Sequence, residues 1–159
     1  MHEYMKKDCS LTLAQALDEF YEINKGYRSM ADKFKIMRSH DTVHVIFGAD
    51  TTFLGEAVAD LRSMYSTDIG AYKYVRSYLI DSDEELKQFL KSIQSDFFSL
   101  KKIPHLLFFL LYSLIILLPR ILWDNKKMTK KWNFYFPESY MDKSIYDLKQ
   151  RYNSYKHSI

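Results

Sequence analysis

The chain has 159 residues, a length that suits one folded domain able to bury a core. Hydrophobic residues make up 47% and aromatic residues 16% of it, which excludes a disordered chain, and the net charge of +3 is too small to indicate nucleic acid as a partner. Only four Gly and three Pro leave few turns for a β-sandwich or barrel, so we predict an all-α fold, a single-domain multi-helix bundle over residues 1–159.

Three helices are predicted in the N-terminal part, because apolar residues recur there at intervals of three and four. Their expected ranges are 10–24, 31–47 and about 52–66. Gly48 can adopt the left-handed conformation that ends a helix, and the side-chain oxygens of Asp50, Thr51 and Thr52 can cap the next one. The chain is therefore expected to turn back on itself between the second and third helices.

A fourth helix is predicted to begin at Ser82, whose hydroxyl and the Glu85 carboxylate have the spacing of a capping box. It should run to about Phe97 or Phe98, and Pro104 fixes the next break. Residues 128–137 contain the aromatic residues Trp132, Phe134, Tyr135 and Phe136, and we predict an extended segment that covers the core.

Four potential metal ligands lie around the predicted turn. His40 and His44 are four residues apart, so on a helix their side chains share one face, with Asp41 beside them. Glu56 falls in the first turns of the next helix, and an antiparallel return would bring its carboxylate to the histidine face. Asp41 and Glu56 are also the candidate catalytic groups.

Nitrogen and oxygen ligands without a thiolate suit zinc, iron, manganese or magnesium, and zinc is the expected ion. The alternative is that the two histidines are core-edge residues that happen to fall four apart. The single cysteine, Cys9, excludes an intrachain disulfide and a Cys-based metal or redox motif. No GxGxxG or Walker pattern occurs, which excludes the common nucleotide-binding enzymes.

The spacing His40-Asp41-x-x-His44, eleven further residues and Glu56, within HDTVHVIFGADTTFLGEA, resembles the signature of the Coq-four family of coenzyme Q (ubiquinone) biosynthesis proteins. The C-terminal segment around Trp132 and the run from Ser144 to Lys149 resemble the end of that family, so the similarity covers about residues 11–153. The chain begins near the point where the family's additional N-terminal helical region would end.

This resemblance implies a helical protein in which His40, Asp41, His44 and Glu56 bind a metal beside a cavity for a polyprenyl chain. It also implies a role in late, membrane-associated steps of ubiquinone synthesis, including removal of the carboxylate at carbon one of a prenylated 4-hydroxybenzoate-derived ring. The expected partners are a quinone precursor, other proteins of the pathway and a second copy of the chain.

The run from Leu106 to Leu118 contains thirteen residues without a charge. At 1.5 Å per residue it covers about 20 Å, less than the roughly 30 Å hydrocarbon core of a bilayer. We predict a central, buried apolar helix that lines a prenyl tunnel or is covered by a second subunit or lipid, with Leu107, Leu111, Leu114 and Leu118 as lipid-binding residues. Lysines flank the run and favour contact with anionic headgroups, and no N-terminal apolar stretch of a secretory signal precedes the first helix. We therefore expect a cytoplasmic protein peripheral to a membrane, on the matrix face of the inner membrane if mitochondrial.

Three functional hypotheses remain at this point. The first is a metal-dependent enzyme, or enzyme-like factor, acting on a prenylated ring. The second is a non-catalytic scaffold that binds lipid and in which the metal only joins two helices. The third is a metal-dependent hydrolase unrelated to quinones.

Overall fold

The computed structural model describes residues 2–6, 8–97 and 111–152, and helices dominate it. Within these ranges eight α-helices occur and no strand, with only two isolated backbone bridges, Thr12 to Ser144 and Thr67 to Trp132. The predicted all-α, multi-helix fold is therefore confirmed. None of the described helices is both long and apolar enough to span a bilayer.

In chain order the helices are α1 (Leu13–Ile23), α2 (Tyr27–Lys33), α3 (Lys35–Phe47), α4 (Phe53–Tyr65), α5 (Ala71–Val75), α6 (Glu84–Phe97), α7 (Leu118–Asn125) and α8 (Ile145–Tyr152). A turn of π-helix, Arg76–Ile80, follows α5, and another, Ser113–Leu117, precedes α7. Short 3-10 helices occupy Glu3–Met5 and Glu138–Tyr140.

Two predicted helix boundaries are wrong. The helix predicted over residues 31–47 is two helices, because Phe34 has extended backbone angles, φ −120° and ψ 109°, between α2 and α3. The predicted capping box at Ser82 does not form, since the Ser82 hydroxyl donates to the carbonyl oxygen of Tyr78. The carboxylate of Asp83 instead accepts a hydrogen bond of 3.0 Å from the amide of Glu85, so Asp83 caps α6.

Helix α3 lies at the centre of the described helices and packs against α1, α2 and α4. Every residue from 39 to 47 on this helix is buried, including Ser39, His40, Asp41 and His44. The predicted central apolar helix is not confirmed. Residues 106–110 of the apolar run, with Leu107, lie outside the described residues. Of the rest of the run, Leu111, Leu114, Ile115 and Ile116 are exposed, whereas Leu117 is buried.

The segment before α8 packs against the core, but it contains a turn at residues 134–135 and is not extended throughout as predicted. Trp132, Phe134 and Phe136 are buried, while Tyr135 between them is exposed. The amide of Trp132 donates to the carbonyl oxygen of Ser66, and the Trp132 ring lies 4.8 Å from the ring of Tyr152 between centroids. This segment therefore joins the end of α4 to α8.

A buried ion pair joins α4 to α7. Nη2 of Arg62 donates to Oδ2 of Asp124 at 2.8 Å, and both side chains are almost completely buried. The guanidinium also lies 5.0 Å from the centre of the Phe47 ring, which belongs to α3. Helix α4 thus contacts α3 on one side and the helix that continues the apolar run on another.

Candidate metal centre

The turn between α3 and α4 places Glu56 opposite the histidines. Gly48 ends α3 in the left-handed conformation, φ 68°, and Thr52 caps α4 by accepting a hydrogen bond from the amide of Gly55. A residue with a side chain does not fit at position 55, because its Cβ would lie 2.1 Å from the carbonyl oxygen of Asp50. The close approach that this glycine permits sets the start of α4, and Glu56 follows directly.

His44 and Glu56 face each other across the two helices. Nε2 of His44, which is 0% exposed, lies 3.5 Å from Oε2 of Glu56, whose side chain is 23% exposed. The other ring nitrogen, Nδ1, lies 3.3 Å from the carbonyl oxygen of Ala49. A carbonyl oxygen only accepts, so this contact requires the proton on Nδ1 and leaves the lone pair of a neutral imidazole on Nε2, directed at Glu56.

His40 and Asp60 form a second facing pair one helical turn away. Nε2 of His40 lies 3.3 Å from Oδ1 of Asp60, at ion-pair distance but without hydrogen-bond geometry. His40 is 2% exposed, whereas the Asp60 side chain is 47% exposed. The hydroxyl of the buried residue Tyr74 donates to the same Oδ1 at 2.5 Å.

One donor atom from each of His40, His44 and Glu56 lies within 4.8 Å of the others, which makes this triad able to hold a metal ion. Nε2 of both histidines is buried and has no hydrogen-bond partner among the described residues. Ligands of a tetrahedral zinc ion, each about 2.0–2.2 Å from the metal, lie about 3.4 Å apart, close to the observed separation of His44 and Glu56. The donor types, their spacing and their unused lone pairs therefore suit a divalent cation.

Burial and neighbouring charge shift the pKa values of these groups in opposite directions. Burial alone would lower the pKa of His40, but the interaction with the Asp60 carboxylate, together with the charges of Glu56 and Asp41, outweighs it and raises the pKa to about 9. Burial raises the pKa of Asp41 to about 8, against the opposing charge of His40. For Glu56 and Asp60, the attraction of the histidines overcomes the effect of burial, and both carboxyl pKa values are lowered.

Aromatic side chains enclose the donor groups. The ring of Phe20 lies 5.3 Å from that of His44, and the ring of Tyr78 lies 5.7 Å from that of His40, between centroids. The hydroxyl of Tyr27 donates to Oε1 of Glu56 at 3.4 Å. The exposed fractions of Glu56 and Asp60 indicate that the site opens to solvent on the carboxylate side.

Three of the four predicted ligands, His40, His44 and Glu56, come together, and the fourth, Asp41, is completely buried outside this triad. Asp60 and the two tyrosines that bond to the carboxylates were not predicted. The spacing of Glu56 and Asp60, four residues apart on a predicted helix, repeats the spacing of the histidines and would have indicated Asp60.

The predicted lipid-binding residues are separate from the metal centre in sequence and differ in exposure. Leu111 and Leu114 are exposed, Leu118 is partly buried against the core, and Leu107 lies outside the described residues. In comparisons with known proteins, no family model, curated protein or solved structure matches the chain.

Proposed function

We propose that the protein binds a divalent metal and a polyprenyl lipid and acts in ubiquinone biosynthesis, where it removes the carbon-one carboxylate of the prenylated ring. The observation that carries this proposal is the convergence of His40, His44 and Glu56 in the sequence pattern that resembles the Coq-four signature. The ring substrate would enter from the side of the exposed carboxylates.

The reaction in its simplest form releases the carboxylate as carbon dioxide, and the bonding electron pair remains on the ring carbon until a proton takes the vacated position. A divalent cation held by His40, His44 and Glu56 would supply a Lewis acid for the oxygens of the ring. The residues of the chain orient the donors and shield the histidines from water. The Ala49 carbonyl fixes the His44 ring, the Tyr27 hydroxyl fixes Glu56, and Phe20 covers His44.

An exposed apolar surface supports the lipid part of the proposal. Leu114 and Ile115 are 51% and 64% exposed, and Leu111 and Ile116 extend the same surface. Trp123, eight residues after Ile115, is also exposed, with the ammonium groups of Lys126 and Lys127 at 5.5 and 5.7 Å from its ring centre. Apolar side chains next to an aromatic residue and lysines suit the interface of an anionic membrane, from which a prenyl compound would be taken.

A second candidate function is a scaffold that presents bound lipid to other proteins of the pathway. The complete burial of both histidines favours it, because a metal at their Nε2 atoms would join α3 to α4 regardless of any reaction. In this case the cation is structural, and the expected loss on metal removal is stability rather than turnover.

The metal is tested by elemental analysis of the natively purified protein. We expect about one divalent ion per chain, a large loss of metal in Glu56→Gln and His44→Ala, and no loss in Glu22→Gln, which changes an exposed carboxylate on α1. Full metal content in His44→Ala would refute the ligand assignment.

Lipid and turnover are tested with the same preparations. Organic extraction should yield a polyprenyl compound from the wild type and from Glu56→Gln. Release of carbon dioxide from a prenylated 4-hydroxybenzoate by the wild type alone would favour the enzyme, whereas bound lipid without any release would favour the scaffold. If no prenyl compound is extracted, and added prenyl compounds neither bind nor raise the melting temperature, the lipid proposal is wrong.

A further inference from the structure

Asp60 is a carboxylate next to the histidine pair that the sequence prediction did not include. It follows Glu56 by four residues on α4, as His44 follows His40 by four residues on α3. Residues four apart share a helix face, so each helix presents a matched pair to the other. Because the helices run in opposite directions, Glu56 faces His44 and Asp60 faces His40.

We infer that Asp60, rather than Asp41, is the fourth donor to the cation, so that the site consists of two histidines from α3 and two carboxylates from α4. This inference rests on the proposed metal site and specifies its composition.

The two histidine–carboxylate contacts have nearly the same geometry. Nε2 lies 3.3 Å from the carboxylate oxygen in the pair of His40 and Asp60 and 3.5 Å in the pair of His44 and Glu56. Neither Nε2 forms a hydrogen bond within the described part of the chain, although both are buried. Burying such groups without partners is costly, and one cation between the two pairs would satisfy both at once.

Each of the two carboxylates is also held by a tyrosine. Tyr27 donates to Glu56, and Tyr74 donates to Asp60. Ligating carboxylates are typically hydrogen-bonded in this way, because the second contact fixes their orientation toward the metal. Tyr27 holds Oε1 of Glu56 and leaves Oε2 facing His44, whereas Tyr74 and His40 both lie next to Oδ1 of Asp60. Each carboxylate thus has one tyrosine and one histidine as neighbours.

Asp41 has a different position. It follows His40 directly, so its side chain leaves the helix about 100° away from that of His40. It is 0% exposed, and neither its carboxylate nor that of Asp60 is among the donor atoms within 4.8 Å of one another. Of these two carboxylates, only that of Asp60 lies at ion-pair distance from a histidine of the triad. The Asp60 side chain contacts the triad at His40 and is half exposed. A small rotation of this side chain toward a cation would therefore not disturb the core.

The test is a titration of the metal-free full-length chain with Co²⁺, whose visible absorption reports the number and type of ligands. We expect Asp60→Asn to weaken binding by more than about tenfold and to change the absorption spectrum, since even outer partners of a metal contribute about 10–100-fold. Asp60→Glu should recover part of the affinity. Asp41→Asn should keep the wild-type spectrum and lose less than about tenfold.

Circular dichroism and melting curves of each metal-free variant separate ligand loss from misfolding, and Asp60→Ser provides a second way of removing the carboxylate. If Asp60→Asn and Asp60→Ser fold and bind Co²⁺ with the wild-type affinity and spectrum, the inference is wrong while the metal site stands. If Asp41→Asn alone changes the spectrum, Asp41 is the fourth donor. If the wild type binds neither Co²⁺ nor Zn²⁺, the proposed function fails together with the inference.

Discussion

Imidazole nitrogens that are buried without hydrogen-bond partners destabilise a folded chain, and His40 and His44 both have this property at Nε2. The nearby carboxylates compensate in the metal-free protein by charge, which raises the pKa of His40 to about 9. A cation would replace that proton, since a protonated imidazole cannot bind a metal. His40 therefore favours a proton in the metal-free state and a metal in the bound state.

The metal-free protein should lose stability as the pH rises from about 6.5 to 9. The pKa of His40 rises from 6.5 in the unfolded chain to about 9 in the folded one, and the pKa of Asp41 rises from 3.8 to about 8. In both cases the folded state holds a proton that the unfolded state has lost, so raising the pH favours unfolding. We expect the melting temperature of metal-stripped protein to fall by several degrees over this range.

One variant provides a control for this measurement. Asp41→Asn should reduce the fall in melting temperature, because the Asp41 carboxyl, one of the two groups with a raised pKa, is no longer present to titrate. Glu56 and Asp60 have lowered pKa values, so their contribution is present above about pH 4.5 and is lost only as the pH falls further. A melting temperature that stays constant between pH 6.5 and 9 in the stripped wild type would contradict the assigned protonation states.

At the scale of single elements, the turn from α3 to α4 determines whether the donors meet. Replacing a helical glycine by alanine usually stabilises a helix by about 1 kcal/mol. Gly55→Ala should do the opposite, because the new Cβ would lie 2.1 Å from a backbone oxygen of Asp50 and α4 would have to move. We expect a loss of about 1–3 kcal/mol in unfolding free energy and weaker metal binding.

The matched control for Gly55→Ala is Ala57→Gly, two residues further along α4. It lowers helix propensity by about 1 kcal/mol without adding an atom, so it should reduce stability and leave metal affinity unchanged. Denaturant titrations with and without Zn²⁺ measure both effects. Equal metal affinity in Gly55→Ala and the wild type would show that the helix accommodates the added Cβ without moving Glu56.

The elements that could be predicted from the sequence are those with local signals. The end of α3 at Gly48 and the start of α4 at Thr52 depend on residue types suited to those positions, and both agree with the structure. The break at Phe34 was missed because neither Gly nor Pro marks it, and its extended conformation depends on how α2 and α3 pack. The cap of α6 was misassigned since Ser82 and Asp83 are both good caps.

The ion pair between Arg62 and Asp124 fixes α4 against α7, and its loss should be costly. Asp124→Ala leaves the Arg62 guanidinium buried beside Phe47, for which we expect a loss of about 3–5 kcal/mol in unfolding free energy. The double variant Arg62→Met with Asp124→Leu removes both charges and should recover most of that loss. If the single variant is as stable as the wild type, the pair does not contribute to holding α7.

At the scale of the whole molecule, the most apolar segment does not supply the centre of the described helices, contrary to the prediction. The mixed segment with His40, Asp41 and His44 forms the buried centre, whereas the described part of the most apolar segment lies at the surface. Sequence periodicity could not distinguish these arrangements, since a run that is apolar all round suits a core helix and a lipid-facing helix equally. Helix α4 contacts both α3 and α7, so it connects the candidate site to the apolar surface.

This apolar surface should bind anionic lipid vesicles through Leu114 and Ile115, which are 51% and 64% exposed. Full burial of a side chain of this size contributes about 1.5–3 kcal/mol. A serine at one of these half-exposed positions should therefore cost about 1 kcal/mol, or roughly fivefold in affinity for the vesicles. The double variant, Leu114→Ser with Ile115→Ser, should lose more than about tenfold. The matched control is Ile23→Ser on α1, an isoleucine of similar exposure at 44% that lies outside this surface. Vesicle sedimentation of the full chain measures the affinities, and added salt should weaken binding because Lys126 and Lys127 lie beside Trp123. Equal vesicle binding by the double variant and Ile23→Ser would show that the exposed apolar residues do not face lipid.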